Sequence, residues 1–302
     1  MTRFARVLLP LAPLLLAACG AEPAPETVEE NVLYFETGAF EVPPGDVFEC
    51  FYTDTFTDKE LAVYGSDGQQ DLGGHHIVVY WTDIPRDPQH HPCKDEEMVS
   101  WHQISGSGGE AAAATDVLAL PEGLAIKVPA GKQLVIQAHY INTTGAVQTV
   151  NDWVKLKLMD PARVQSYVNF LATVDETFEI PAHSKHTSTT QCTLERDFDI
   201  VLSLGHMHEY GTRYKLEEVD SQGAVLSTLR DDVWSPVYTS HPPINRWTKD
   251  EPLSLKKGTI LRQTCTWDNT SPEPLLFPRE MCLGFFFYYP DEGELFCDMV
   301  PQ

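Results

Sequence analysis

Leu134-Val135-Ile136-Gln137-Ala138-His139-Tyr140 is the stretch on which the fold turns. It is branched, aromatic and apolar over the length of one strand. Pro129-Ala130-Gly131 before it and Asn142-Thr143-Thr144 after it read as turns. Met281-Cys282-Leu283-Gly284-Phe285-Phe286-Phe287-Tyr288-Tyr289 reads the same way. Short strands of this kind recur along a chain with 22 prolines and 19 glycines, which predicts an all-β protein built of antiparallel sandwiches. Helical periodicity is scarce, and Glu110 to Leu120 is the best short helix.

Working outward, the opening stretch belongs to a repeat. Gly131, Leu134, Tyr140, Asn142 and Thr143 match Gly258, Leu261, Trp267, Asn269 and Thr270 at one offset of 127. Phe40-Glu41-Val42-Pro43 recurs as Phe178-Glu179-Ile180-Pro181, and Cys50 as Cys192. Gly74-His75 recurs as Gly205-His206. A period this long is a whole domain rather than a solenoid unit. Two related domains are expected, at 31–170 and 171–302.

The chain has 302 residues, 42% of them apolar and 22% charged, as in a folded globular protein. Its net charge is −23, which argues against nucleic acid as a partner. Residues 1–18 carry Arg3 and Arg6 ahead of an apolar run from Val7 to Ala18. That run is too short to span a bilayer and reads as a signal peptide. Leu16-Ala17-Ala18-Cys19 resembles a bacterial lipobox, so Cys19 is the expected lipidation site and residues 19–30 an acidic tether. The expected location is exported and anchored to the bacterial membrane, with Gly20 leaning toward the outer one. Six other cysteines remain: Cys50, Cys93, Cys192, Cys265, Cys282 and Cys297. An even number in an exported chain suggests disulfides, and six cysteines permit about 15 pairings.

Histidines gather where two apolar runs meet glycines. His206 and His208 share a strand face with Met207 opposite. His75 and His76 are adjacent and converge only where a strand twists or ends, which Gly73-Gly74 permits. His139 completes a three-histidine set. At the repeat offset its place in the second half is taken by Thr266, and Met281 on the following strand is the candidate replacement. Met281 alone would read as core, but a thioether beside two imidazoles suits copper better than zinc, calcium or magnesium. His90-His91 reads as a solvated loop pair. His102, His183, His186 and His241 have no ligand-like neighbours.

His75-His76, Gln137-Ala138-His139-Tyr140, His206-Met207-His208 and Met281-Cys282 followed by Tyr288-Tyr289 stand in an order that resembles the copper type II, ascorbate-dependent monooxygenases, the group of peptidylglycine and dopamine β-monooxygenases. The resemblance implies two copper ions. One, an electron-transfer copper, would be held by His75, His76 and His139; the other, the oxygen-activating catalytic site, by His206, His208 and Met281. It implies two jelly-roll-like sandwiches with the coppers facing each other across an open cleft. It implies disulfides Cys50–Cys93, Cys192–Cys297 and Cys265–Cys282. O2 and a one-electron donor such as ascorbate would be its partners.

The chain departs from the peptide-processing branch where that branch binds a carboxylate. Leu204, Leu283 and Phe285 stand at those positions and offer no charge or hydrogen bond. The expected substrate is a small apolar or aromatic molecule hydroxylated at a C–H bond. A copper-storage lipoprotein is the alternative. A zinc hydrolase is a further one, against which stand the lack of HExxH and the poor fit of Met281 to zinc.

Overall fold

A computed structural model describes residues 31–107, 114–239, 241–297 and 299–301. The signal and lipobox residues through Cys19 and the tether to residue 30 lie outside the described residues. The fold is all-β, with antiparallel sheets as the sequence predicts.

Two runs of eight strands carry the architecture. The first is β1 (Asn31–Glu36), β2 (Gly45–Phe56), β3 (Leu61–Gln69), β4 (Gly74–Thr82), β5 (Trp101–Ser107), β6 (Leu124–Val128), β7 (Gln133–Asn142) and β8 (Trp153–Met159). The second is β9 (Ser166–Val174), β10 (Ser184–Thr193), β11 (Phe198–His206), β12 (Gly211–Val219), β13 (Val225–Val233), β14 (Leu253–Leu255), β15 (Ile260–Asn269) and β16 (Leu283–Tyr289). Each run repeats the other's pairing. The order β2-β7-β4-β5 in one sheet recurs as β10-β15-β12-β13 in another. The order β1-β8-β3-β6 recurs as β9-β16-β11, with β14 paired to β11. These latter two sets form one 11-stranded sheet, joined where β6 and β9 run parallel through Leu124–Ile126 and Ser166–Val168.

Small motifs repeat as well. Asn142 donates to the carbonyls of Val42 and Ala146, and Asn269 to those of Ile180 and Glu273. Gly131 and Gly258 both take positive φ in the turn leading to the next strand.

Apolar faces close on one another between the sheets of each half. Val63, Ile77, Ile136, Tyr140 and Leu156 meet in the first core, and Ile200, Tyr214, Leu216, Trp267 and Phe286 in the second. Burying a large apolar side chain stabilises by about 1.5–3 kcal/mol. β7 is the centre of this packing. Ile136, Ala138 and Tyr140 point into the core, so Gln137 and His139 share the other face. A third cluster crosses the join, where Leu118, Leu124 and Ile126 meet Val168, Leu202 and Phe287.

Three disulfides are present: Cys50–Cys93, Cys192–Cys297 and Cys265–Cys282. These are the pairs that the resemblance implies. The helix expected at Glu110 to Leu120 is not found among the described residues of that stretch. Ala114–Ala119 is a strand paired antiparallel to β3, and Leu118 is buried. An open sheet edge overrides a modest alanine preference for helix.

Candidate metal centre

The first cluster is made by a bulge. Along the β4–β7 ladder His76 lies opposite His139, while Tyr140 lies opposite Gly74. His75 is the extra residue, so two adjacent side chains that would diverge in a regular strand turn to one side. The ring centroids of His75, His76 and His139 lie 4.5–4.9 Å apart, and one nitrogen of each ring falls within 4.8 Å of the others. The two preceding glycines make room: Gly73 has φ 85°, and a Cβ on Gly74 would sit 2.2 Å from the Gln70 side chain. His139 stacks on Phe48 at 3.8 Å, and its Nε2 donates to Asp46 at 2.5 Å. Burial would raise the Asp46 carboxyl, but the bond to His139 and the nearby Arg279 outweigh it and hold it below the usual range. A carboxylate on one ring nitrogen fixes the tautomer and leaves Nδ1 of His139 with a lone pair.

The second cluster sits at the end of β11. His206 closes the strand, Met207 turns into the core, and His208 returns to the side of His206, with ring centroids 5.1 Å apart. Nδ1 of His208 donates to the Arg279 carbonyl at 3.0 Å, again leaving the other nitrogen free. Met281 lies just outside the sheet: His206 pairs with Leu283 at the start of β16, where the β11–β16 ladder ends, and Met281 precedes that pair by two residues as His208 follows it. The Cys265–Cys282 disulfide ties the residue after Met281 to β15.

The residue before Met281 was not singled out by sequence reasoning. Glu280 is fully buried and accepts from the backbone N–H of His208 at 3.1 Å, of Tyr210 at 2.8 Å and from the Trp267 indole at 3.0 Å. Burial pushes its carboxyl up to about 7, against the pull of those hydrogen bonds. Asp152 is its counterpart in the first half. It accepts from the Tyr140 hydroxyl, from Gln70 and from the backbone of Asp71, and burial pushes it up to about 6.

The two clusters abut. His75 lies 5.5 Å from His208 and 6.4 Å from His206, and His139 lies 6.4 Å from His208, between ring centroids. The open cleft implied by the resemblance is therefore not what this structure holds. Asp46 links the halves at the same point, with His139 on one oxygen and the Arg279 guanidinium 3.5 Å from the other. Burial, reinforced by the neighbouring imidazoles, holds His75, His76 and His206 neutral far below the usual pH. For His208 burial outweighs its bond to the Arg279 carbonyl, with the same result. Neutral rings pack edge to face without repulsion.

Neutral imidazole is the form that binds a metal. Nε2 of His75, Nδ1 of His139 and Nε2 of His208 are buried with no hydrogen-bond partner. Buried polar atoms are rarely left so, and imidazole nitrogens left open in both clusters fit metal ligands. His90, His91 and His102 are engaged elsewhere. His90 and His91 lie in a short strand rather than a solvated loop, bonded to Glu49 and Glu97 at 2.8 and 2.9 Å. His102 is bonded to Asp83 and stacks on Trp81. Leu204 and Phe285 pair across the β11–β16 ladder and pack against the cluster at the join of the two halves.

Residues 166–300, from the first residue of β9, match the family model of the copper type II ascorbate-dependent monooxygenase C-terminal domain. No curated protein matches. Among solved structures, N-glycanase F is 10% identical, with 90% of this chain and 99% of that one covered and a TM-score of 0.40. A Sulfolobus turreted icosahedral virus structure is 10% identical, with 87% and 60% covered and a TM-score of 0.22. Likenesses this loose carry no functional information. Over residues 166–300 the chain is thus similar to the C-terminal domain of the copper type II ascorbate-dependent monooxygenases, a family of copper-dependent oxidoreductases whose co-substrates are O2 and ascorbate.

Proposed function

We propose that the protein is a lipid-anchored monooxygenase with two copper ions that hydroxylates a C–H bond of a small apolar or aromatic molecule. His75, His76 and His139 would hold one copper and His206, His208 and Met281 the other. The observation that carries this is the set of unpartnered, buried imidazole nitrogens at His75, His139 and His208. When bound, copper supplies the one-electron and oxygen chemistry: substrate C–H, O2, two electrons and two protons become C–OH and water. The protein's part is to hold neutral imidazoles in place, through Asp46 on His139 and the Arg279 carbonyl on His208. Leu204, Leu283 and Phe285 would favour an apolar substrate over a carboxylate. Each half would form one jelly-roll-like domain, about 31–170 and 171–302. Export, cleavage before Cys19 and lipidation of its thiol would place the protein at the bacterial outer membrane.

Copper storage is the second reading, favoured by the close approach of the two clusters. Metal analysis and oxygen uptake separate the two. The expected result is two equivalents of copper and ascorbate-dependent oxygen uptake that rises with one member of an apolar and aromatic substrate panel. Two coppers with no substrate-dependent uptake would favour storage. Stoichiometric zinc without copper would overturn both.

A further inference from the structure

We infer that Glu280 is the positioning residue of the methionine-containing site, holding His208 and Met281 in one frame. The inference rests on the reading of His206, His208 and Met281 as copper ligands. Strand register alone does not fix Met281, because the β11–β16 ladder ends at His206 and Leu283. Beyond it both chains leave the sheet, and Glu280 gathers them. Its two oxygens take the backbone N–H groups of His208 and Tyr210, on both sides of the turn that follows β11. One of them also takes the Trp267 indole, and the Met281 N–H lies 3.4 Å from it. One buried carboxylate thus joins the histidine turn, the methionine segment and β15. Arg279, on the other side of Glu280, supplies the carbonyl that takes Nδ1–H of His208.

The repeat shows that this device is built into the fold. In the first half Asp152 takes the side chain of Tyr140, which matches Trp267, and the backbone of Asp71. Asp71 stands 137 residues before His208, the offset that also separates Gly74 from Gly211, where β4 and β12 begin. The first half therefore clamps a turn whose clamped residue is not a ligand. The second half clamps His208 itself. A longer acid, glutamate for aspartate, takes one more backbone donor, the N–H of Tyr210.

The test is X-ray absorption at copper on the reduced, fully loaded mature protein, with copper affinity of each site by competition. Wild type is expected to show a sulfur neighbour. Glu280→Gln is expected to lose it, with about 10–100-fold weaker copper binding at one site and the three-histidine site unchanged. Asp152→Asn is expected to keep the sulfur signal whatever it does to stability, which a general loss of packing would not predict. A sulfur signal and affinity unchanged in Glu280→Gln would overturn the brace and leave the ligand reading standing. Absence of sulfur in the wild type would overturn the Met281 reading on which the brace rests. If Glu280→Gln does not fold, Trp267→Phe removes one donor to the carboxylate. Weaker binding at the methionine site supports the brace, and unchanged binding overturns it.

Discussion

The hairpin β3–β4 and the hairpin β11–β12 are the same structure put to different use. Each begins at matched residues, Leu61 and Phe198, paired with Val128 and Leu255 of β6 and β14. Each has a bulge where its second strand meets β7 or β15. The first half places its histidines on the strand that leaves the turn, at His75 and His76. The second half has Thr212 and Arg213 there, since Gly211 pairs with Trp267 as Gly74 pairs with Tyr140. Its histidines lie on the strand that enters the turn, at positions held by Gln69 and Asp71 in the first half. The Gly-His clusters are thus not copies of each other. The alignment of Gly74-His75 with Gly205-His206 is corrected: Gly74 matches Gly211. One hairpin thus carries a histidine pair twice, once on each flank, and the two pairs meet where the halves meet.

That comparison breaks most visibly if ligands are removed. His75→Ala and His208→Ala are each expected to leave one copper of two and to abolish substrate-dependent oxygen uptake. Equal loss of both coppers from either variant would mean one shared site rather than two. Next in size is Asp46→Ala, which takes the carboxylate from His139. It is expected to weaken copper about 10–100-fold at the three-histidine site, with the methionine site less affected. Competition titration with site-resolved spectra checks this, and equal weakening at both sites would give Asp46 to the pair rather than to His139.

A third effect probes the glycines of the two hairpins. A Cβ at Gly74 would meet Gln70 at 2.2 Å, and one at Gly205 would meet the Tyr214 ring at 2.4 Å. Alanine at either is expected to destabilise by about 1–3 kcal/mol, read as a lower thermal midpoint of the apo protein. Neither neighbour can swing away: Gly74 faces the Gln70 Cβ and, at 2.9 Å, the Asp71 carbonyl, while the Tyr214 ring at Gly205 is fully buried and bonded to Gln263.

The smallest effect is a slope. Asp152 binds its proton more tightly folded than unfolded, with its carboxyl raised from 3.8 to about 6. The folded state then holds more protons between those values, so this group's contribution to stability falls as pH rises through that window. The total is at most about 3 kcal/mol, from about 1.4 kcal/mol per unit. Unfolding of the apo protein followed between pH 4 and 7 should show a flatter dependence in Asp152→Asn than in wild type. An identical slope would remove Asp152 as its source.

Much of this was legible in the residues. The apolar face of β7 announced the strand, and the offset of 127 announced the doubled topology, because core glycines, asparagines and aromatics keep their places when a sheet is copied. The adjacency of His75 and His76 already required a break in the strand, and the bulge supplies it. Other features were hidden. Glu280 and Asp152 resemble ordinary surface acids in a chain of net charge −23, and only the folded turn shows what they bind. Strand periodicity cannot say which flank of a hairpin a histidine occupies, so the false match of Gly74 to Gly205 looked as good as the true ones. Nor does it report how near two sites lie, which is set by contacts such as Asp46 with Arg279 across the halves. The stretch at 114–119 went to strand because an unpaired edge was waiting beside it.

The join of β6 to β9 has a consequence for assembly. β9 repeats β1, and β6 repeats β14, so the edges that meet inside the chain recur at β1 and β14 in the large sheet. A single ancestral copy would have carried both edges exposed, head-to-tail complementary, and open to growth into a filament. Duplication within one chain satisfies one such junction permanently. β14, only three residues long, gives a further copy little to grip at the other.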